Sequence, residues 1–190
     1  MSQANQPASV HQMPELQEKT LVLVKPDGVM RGIIGKIIAR FEEAGLKLVG
    51  LKMMRISKDF AQEHHPPELE KWLSGMGTKT LEGYRKYGRD PVKEVGTNDP
   101  LKIGKMVWEW NTDFLTSGPI VAMVWQGNHA IDNVRKLVGS TLPVFALPGT
   151  IRGDFAKDSP ALANAMRRGI RNVVHASGDL AEAKYDIEHW

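Results

Sequence analysis

The chain contains 190 residues, a length that fits one domain with a well-buried core. Charged residues make up 25% of the chain and the formal net charge is only +3, so no polybasic stripe indicates a nucleic-acid-binding protein. The absence of cysteine excludes disulfides, zinc thiolates and thiol catalysis.

Hydrophobic periodicity predicts strands and helices on either side of a central stretch. In chain order we predict a strand at 20–25, a helix at 32–44, a strand at 47–56, a short helix at 58–65, a strand at 120–125, a helix at 129–138, a strand at 171–175 and a helix at 179–189. The order βαββαβ predicts an α+β fold of the ferredoxin-like kind, an antiparallel four-stranded sheet with helices on one face.

The predicted domain layout is a short tail followed by a single domain. Residues 1–18 are polar and are expected to form a flexible N-terminal tail rather than a signal peptide. Residues 19–190 are expected to form the domain. No apolar run approaches the ~20 residues that span a bilayer, and the cytoplasm is the expected location.

Two segments of the domain read as insertions. The larger one, at about 66–116, contains apolar positions between 69 and 84 that suggest a helical hairpin. Apolar positions between 103 and 110 predict a further helix in the same segment. A second insertion is expected at about 157–168.

Cationic side chains stand where the chain is expected to turn. Lys25 ends the first strand and precedes a turn at 26–28, so its ammonium can reach a phosphate as a point charge. Arg152 stands between two glycines, where the backbone can approach a ligand closely. Arg135 lies on a predicted helix, with Thr141 six residues beyond it. Considered alone, each of these cations is most simply interpreted as a solvated surface charge.

The most informative stretch is Asn172-Val173-Val174-His175-Ala176-Ser177. A β-branched run ends on His175 and a helix follows, which predicts an imidazole at the mouth of the sheet. With an ordinary pKa near ~6.5 the ring is mostly neutral at pH 7, and a neutral imidazole can attack phosphorus directly. Because many such histidines are structural or capping residues, the prediction depends on the cations that accompany His175.

These motifs together resemble the nucleoside diphosphate kinase family. The matching runs are TLVLVKPDGVMRGIIGKIIARFEEAGLKLVGLKM (20–53), SGPIVAMVWQGNHAIDNVRKLVG (117–139), PGTIRGDFA (148–156) and NVVHAS (172–177). Motifs that recur in the family's order are far more specific than one short pattern. The resemblance implies the same ferredoxin-like fold.

The resemblance also implies a reaction. The terminal phosphoryl group of ATP or another nucleoside triphosphate would pass to Nδ1 of His175 and then to GDP or another diphosphate, in ping-pong fashion and without regard to the base, which maintains nucleotide pools. Mg²⁺ is expected to enter with the nucleotide, held by phosphate oxygens and water rather than by protein ligands. A homo-oligomer, either a tetramer or a hexamer, is implied as well.

The phosphate-binding residues follow from the same resemblance. A loose transition state spreads negative charge over the phosphoryl oxygens. Lys25, Arg135 and Arg152 would balance this charge. Thr141 and Asn172 would add neutral hydrogen bonds to phosphate or ribose oxygens.

The segment after His175 departs from the family's pattern at two places. Gly178 stands where the family has an aspartate, and Asp179 could either substitute for it at the metal or cap the last helix. The family's supporting glutamate corresponds to Asp186, which is one methylene shorter. We expect Asp186 and Ser177 to orient the imidazole, with Glu182 as a rival and a solvated helix charge as the alternative for Asp186.

The nucleobase pocket is the least defined part of the predicted site. Trp72, Tyr84 and Phe114 are candidates for its aromatic wall, although Trp72 also fits a helix core. Ile170 is a candidate for the opposite wall. His65 falls where the family usually has a tyrosine.

Two other classes of function remain open. The altered Gly178 and Asp186 would fit a nucleotide-binding regulatory protein without turnover. A ferredoxin-like sheet could also bind RNA or DNA, but this requires exposed aromatic residues in a basic field. The predicted strands show almost none at alternating positions.

Overall fold

A single sheet and the helices packed on it make up the part of the chain that the computed structural model describes, residues 17–64 and 69–190. In chain order the elements are β1 (Gln17–Val24), α1 (Pro26–Met30), α2 (Ile34–Glu43), β2 (Lys47–Met54), α3 (Lys58–Glu63), α4 (Leu69–Lys86), α5 (Pro91–Val95), α6 (Pro100–Thr116), β3 (Ile120–Asn128), α7 (Ala130–Val138), a 3-10 helix (Pro143–Phe145), α8 (Ile151–Phe155), α9 (Pro160–Ala165), β4 (Val174–Ala176) and α10 (Leu180–His189).

The strands pair antiparallel in the order β2-β3-β1-β4. Leu23 on the central strand β1 lies opposite Ala122 on β3 and opposite His175 on β4. This is the ferredoxin-like arrangement, so the predicted fold class is confirmed. The register places His175 on the edge strand β4, opposite Leu23 of the central strand β1.

Helices cover both faces of the sheet, whereas the sequence predicted them on one face. Because side chains alternate along a strand, Val22 joins a core with α2 and α7, and Leu23 joins a second core on the opposite face. The second core contains Leu115 of α6 and Trp190 after α10. The prediction of helices on one face was wrong because α6 covers the other face. This helix lies in the central stretch, and its sequence pattern does not indicate that it packs on the sheet.

The central stretch forms two long helices that pack against each other. Because α4 is one 18-residue helix, the hairpin predicted within 69–84 was wrong, and α4 pairs instead with α6. Glycines permit the close approach: a Cβ on Gly77 would lie 1.7 Å from Pro100 O, and one on Gly104 would lie 1.9 Å from Leu73 O. A side chain at either position would force the two helices apart.

Val173 interrupts the strand predicted at 171–175, so that β4 is only three residues long. Its φ is 58°, a left-handed conformation that is rare for a β-branched residue. The Val173 N–H donates to Asp27 Oδ2 at 3.1 Å, and its carbonyl accepts from Lys25 N at 2.8 Å. These hydrogen bonds tie the segment before His175 to the turn after β1.

The first strand begins earlier than predicted. Gln17 and Glu18, assigned to the tail from sequence, belong to β1 and pair with Asn128 and Gly127. The remaining tail, residues 1–16, and His65 lie outside the described residues. Within the described part, every helix is too short or too polar to cross a membrane.

Candidate active site

His175 presents one ring nitrogen to a carboxylate. Its Nε2 lies 3.2 Å from Asp186 Oδ2, while Nδ1 forms no hydrogen bond within the described residues. Burial lowers the pKa of His175 to about 4; the Asp186 hydrogen bond opposes this shift, and His64 and Lys25 add to it. The imidazole is therefore neutral at physiological pH, more completely than its ordinary pKa suggests.

Asp186 is the carboxylate that holds this ring. Its side chain is 1% exposed, and its Oδ2 also accepts a hydrogen bond from Ser177 Oγ at 2.7 Å. Burial opposes ionisation, but hydrogen bonds from His175, His64 and Ser177 hold the pKa of Asp186 well below its usual range. The rival Glu182 lies farther away, with Oε1 at 3.8 Å from His175 Nε2.

The remaining acidic groups of the loop after His175 have local roles. Glu182 Oε2 accepts from the backbone N–H of Gly178 at 2.8 Å. Asp179 caps α10 by accepting from the Glu182 N–H at 2.8 Å. This hydrogen bond supports the interpretation of Asp179 as a helix cap.

Lys25 and Asn172 meet next to the histidine. The Lys25 ammonium donates to Asn172 Oδ1 at 2.8 Å, and Asn172 Nδ2 donates to the Thr141 carbonyl at 2.8 Å. Burial lowers the pKa of Lys25 to about 8, with Arg152 acting in the same direction and Asp27 opposing. The structure thus joins three of the predicted site residues, although Thr141 takes part through its backbone.

Arg152 is buried and organises the backbone of the site. Its guanidinium donates to the carbonyls of Gly139 (2.9 Å), Val174 (2.9 Å) and Asn172 (3.4 Å). A guanidinium has five N–H groups, so donors remain for a ligand. Burial, helped by Arg135, lowers the pKa of Arg152 to about 10, which leaves it charged at neutral pH.

The two glycines on either side of Arg152 have different local roles, and the approach of a ligand to them stays a prediction. Arg152 lies on α8, whose cap Thr150 accepts from the Gly153 N–H at 3.1 Å. A Cβ on Gly153 would lie 2.0 Å from Leu147 O. Gly149 has a φ of 88°, a turn conformation that favours glycine.

Arg135 reaches the same loop from α7. It is exposed, and a Cβ on Gly178 would lie 3.2 Å from its Nη1. The electrostatic effect of Arg135 on Arg152 also shows that the two cations are close. Lys25, Arg135, Arg152 and Thr141 therefore lie around residues 172–178.

A pocket opens beside Lys25. It is lined by Trp110, Asp113, Phe114, Ser117, Arg167, Arg168, Gly169 and Arg171. The Phe114 ring lies 5.9 Å from Lys25 Nζ. The other candidates for the base walls do not line this pocket: Tyr84 is buried, Trp72 lies on α4, and Ile170 is half-buried.

Comparisons with known proteins identify the family of this chain. The family model described as "Nucleoside diphosphate kinase" matches residues 18–73 and 101–190. A nucleoside diphosphate kinase of Pyrobaculum aerophilum is 48% identical over 173 residues, which cover 91% of this chain and 94% of that protein. A crystal structure of an NDP kinase from Pyrobaculum aerophilum superposes with a TM-score of 0.88 at 46% identity, covering 92% of this chain and 95% of that one.

A second similar solved structure contains a mimic of the transition state. It is a transition state mimic of nucleoside-diphosphate kinase from Borrelia burgdorferi with bound vanadate and ADP. It matches with a TM-score of 0.72 at 35% identity, covering 93% of this chain and 88% of that one.

The fold and its match to that structure indicate the class of protein, a phosphotransferase. The chain belongs to the nucleoside diphosphate kinase family. It is an enzyme that transfers the terminal phosphoryl group of a nucleoside triphosphate to a nucleoside diphosphate, and the family's reaction passes through a phosphohistidine.

The alternative classes find no support. The shortened Asp186 still contacts His175, so this substitution does not argue for loss of turnover. An RNA-binding sheet would need an open face with exposed aromatics. Trp125, the aromatic residue in the middle of β3, is fully buried, and helices pack on both faces of the sheet.

Proposed function

We propose that His175 is the residue that carries the phosphoryl group. The observation that carries this proposal is that Nε2 is engaged by Asp186 while the neutral Nδ1 takes no hydrogen bond from the described residues. The Nδ1 lone pair would form a bond to the γ-phosphorus as the bond to the β,γ-bridging oxygen breaks. That electron pair leaves with the nucleoside diphosphate, and a second diphosphate reverses the step.

The surrounding residues would hold the transferred group. Lys25, Arg135 and the remaining donors of Arg152 would balance the charge on the phosphoryl oxygens. Asn172 would orient Lys25 through their hydrogen bond, and the exposed Thr141 hydroxyl would add a neutral contact. Ser177 and Asp186 would keep the imidazole in one orientation.

The metal would be Mg²⁺ that arrives with the nucleotide. Among the described residues, the group with metal-ligand spacing is His64, His175 and Asp186. Its two nitrogen ligands do not suit Mg²⁺, which prefers oxygen. The phosphate oxygens and water would therefore hold the ion, which would supply charge neutralisation between the phosphates.

The base would lie in the pocket beside Lys25. Phe114 is the candidate aromatic wall that lines this pocket, and its ring is within 5.9 Å of the ammonium that would hold the phosphates. Stacking on a ring does not select among bases. This geometry therefore fits an enzyme that accepts ATP, GDP and other nucleotides. We propose that the enzyme acts in the cytoplasm and maintains nucleotide pools there.

The helices α4 to α6 are proposed to be an insertion at about 66–116, with a second one at about 157–168. The family model leaves residues 74–100 unmatched, which supports the middle of the larger segment, whereas 157–168 lies in a matched range. Arg89 of the larger segment donates to the Ala161 carbonyl in the smaller one. The two segments would thus form one added layer.

The enzyme is proposed to be a homo-oligomer, a tetramer or a hexamer. The edge strand β2 exposes an apolar row, with Val49 at 40%, Leu51 at 52% and Met53 at 56%. An unpaired strand edge with apolar side chains favours association with a second copy.

We expect Leu51→Lys to reduce the mass measured by light scattering. Val92→Lys, on the equally exposed α5, should not, and an unchanged mass in the Leu51 variant would contradict this interface.

Labelling tests the proposed carrier. Incubation of the protein with γ-labelled ATP, followed by removal of nucleotide, should leave label that is stable in base and lost in acid, as a phosphohistidine is. Addition of unlabelled GDP should transfer that label to GTP. Label that resists acid, or that GDP does not discharge, would contradict the proposal.

A further inference from the structure

His64 lies at the active site although no motif points to it. It ends α3, and its Nδ1 lies 3.2 Å from Asp186 Oδ1. The other oxygen of that carboxylate contacts His175 and Ser177. Two imidazoles therefore share one buried carboxylate, each on its own oxygen.

The buried oxygen Oδ1 of Asp186 requires a hydrogen-bond donor. The side chain is 1% exposed, and a buried carboxylate oxygen without a hydrogen bond is costly. Burial chiefly raises the pKa of Glu182, and the like charge of Asp186 raises it further, so Glu182 offers Asp186 no attraction. His64 is the described residue that contacts Oδ1, and its hydrogen bond helps to hold the pKa of Asp186 low.

Trp190 competes for the same nitrogen. Its Nε1 lies 3.2 Å from His64 Nδ1. A single ring nitrogen either accepts from the indole or donates to the carboxylate. The bond to the ionised carboxylate is the stronger one because hydrogen bonds to a charged group are about twice as strong as neutral ones. The His64 tautomer with the proton on Nδ1 is therefore favoured.

We propose that His64 is a positioning residue for the phosphoryl transfer. Its Nδ1–H keeps Asp186 ionised and turned so that Oδ2 accepts the Nε2–H of His175. This leaves the His175 Nδ1 lone pair as the nucleophile, and no proton has to move during the transfer. The ionised carboxylate also stabilises the positive charge that the ring gains when Nδ1 is phosphorylated. The inference rests on the proposed role of His175.

Variants of His64 separate positioning from structure. His64→Phe keeps a ring but no donor, and we expect kcat to fall about tenfold or more with an unchanged KM, because His64 acts through Asp186. His64→Asn, whose amide can take the place of Nδ1–H, should stay within about threefold of wild type. Trp190→Phe removes the competing donor and keeps the ring, so it should retain activity. His64→Phe with kcat within about twofold of wild type, or His64→Asn as impaired as His64→Phe, overturns the proposal.

The unmodified protein provides a test that does not depend on folding of a variant. Long-range ¹H–¹⁵N spectra report which ring nitrogen of a histidine carries its proton. We expect Nδ1–H for His64 and Nε2–H for His175. A bare Nδ1 on His64 overturns the positioning proposal even when labelling shows that His175 is the carrier, so the two proposals can fail separately.

Discussion

Replacing His175 by asparagine should abolish phosphate transfer from ATP to GDP. Removal of a covalent nucleophile costs at least about 10³-fold in kcat, because the cations alone cannot divide the reaction into two steps. The variant should still bind ADP, since Lys25, Arg135 and Arg152 remain. The measurement is GTP formation in a coupled assay, together with ADP binding by calorimetry.

His129 offers the matched control for this experiment. It is an exposed histidine at the start of α7, and its φ of 47° is one that asparagine tolerates. His129→Asn should keep full activity. Substantial transfer by His175→Asn would exclude His175 as the carrier, whatever the control shows.

Local patterns in the sequence predict the parts of the site that depend on strand ends. Lys25 and His175 both follow or end short β-branched or apolar runs. Because β1 and β4 pair antiparallel, the end of β1 lies beside the start of β4, which brings Lys25 to the segment just before His175. The structure places Lys25 Nζ on Asn172, three residues before His175. The pairing of β1 with β4 was therefore foreseeable from the order of elements.

Contacts between distant segments could not be predicted in this way. His64 and Asp186 are separated by more than a hundred residues, and no spacing rule relates the end of a short helix to a later one. The packing of α4 on α6 depends on Gly77 and Gly104, which in sequence look like helix breakers. The left-handed Val173 is likewise held by tertiary hydrogen bonds against its own preference.

Electrostatics explains why the nucleophile and its cations work in the same pH range. The lowered pKa of His175, about 4, keeps the ring neutral far below pH 7, while Arg152 stays charged up to about pH 10. Lys25, with a pKa of about 8, is the group whose charge changes closest to neutrality. The alkaline limit of activity should therefore come from Lys25.

Lys25→Met should lower kcat/KM by about tenfold to a hundredfold. A hydrogen bond to a charged group contributes about 1.5–3 kcal/mol, and each 1.36 kcal/mol is a factor of ten in rate. The loss of the ammonium also leaves Asn172 Oδ1 without its donor. Lys105→Met, which removes an exposed charge from α6, should leave kcat/KM unchanged.

The pH dependence of kcat/KM identifies the group, because it reports the ionisations of the free enzyme. Lys25 carries its charge below a pH of about 8 and loses it above, so wild-type kcat/KM should fall as pH rises through about 8. Lys25→Arg keeps a positive charge to higher pH, and any activity that it retains should lack this fall. The Lys25 ammonium should titrate near the same pH in NMR spectra of the wild-type protein. An alkaline limb that persists in Lys25→Arg, or a Lys25 that titrates at its ordinary pKa near ~10.4, would show that another group sets the limit.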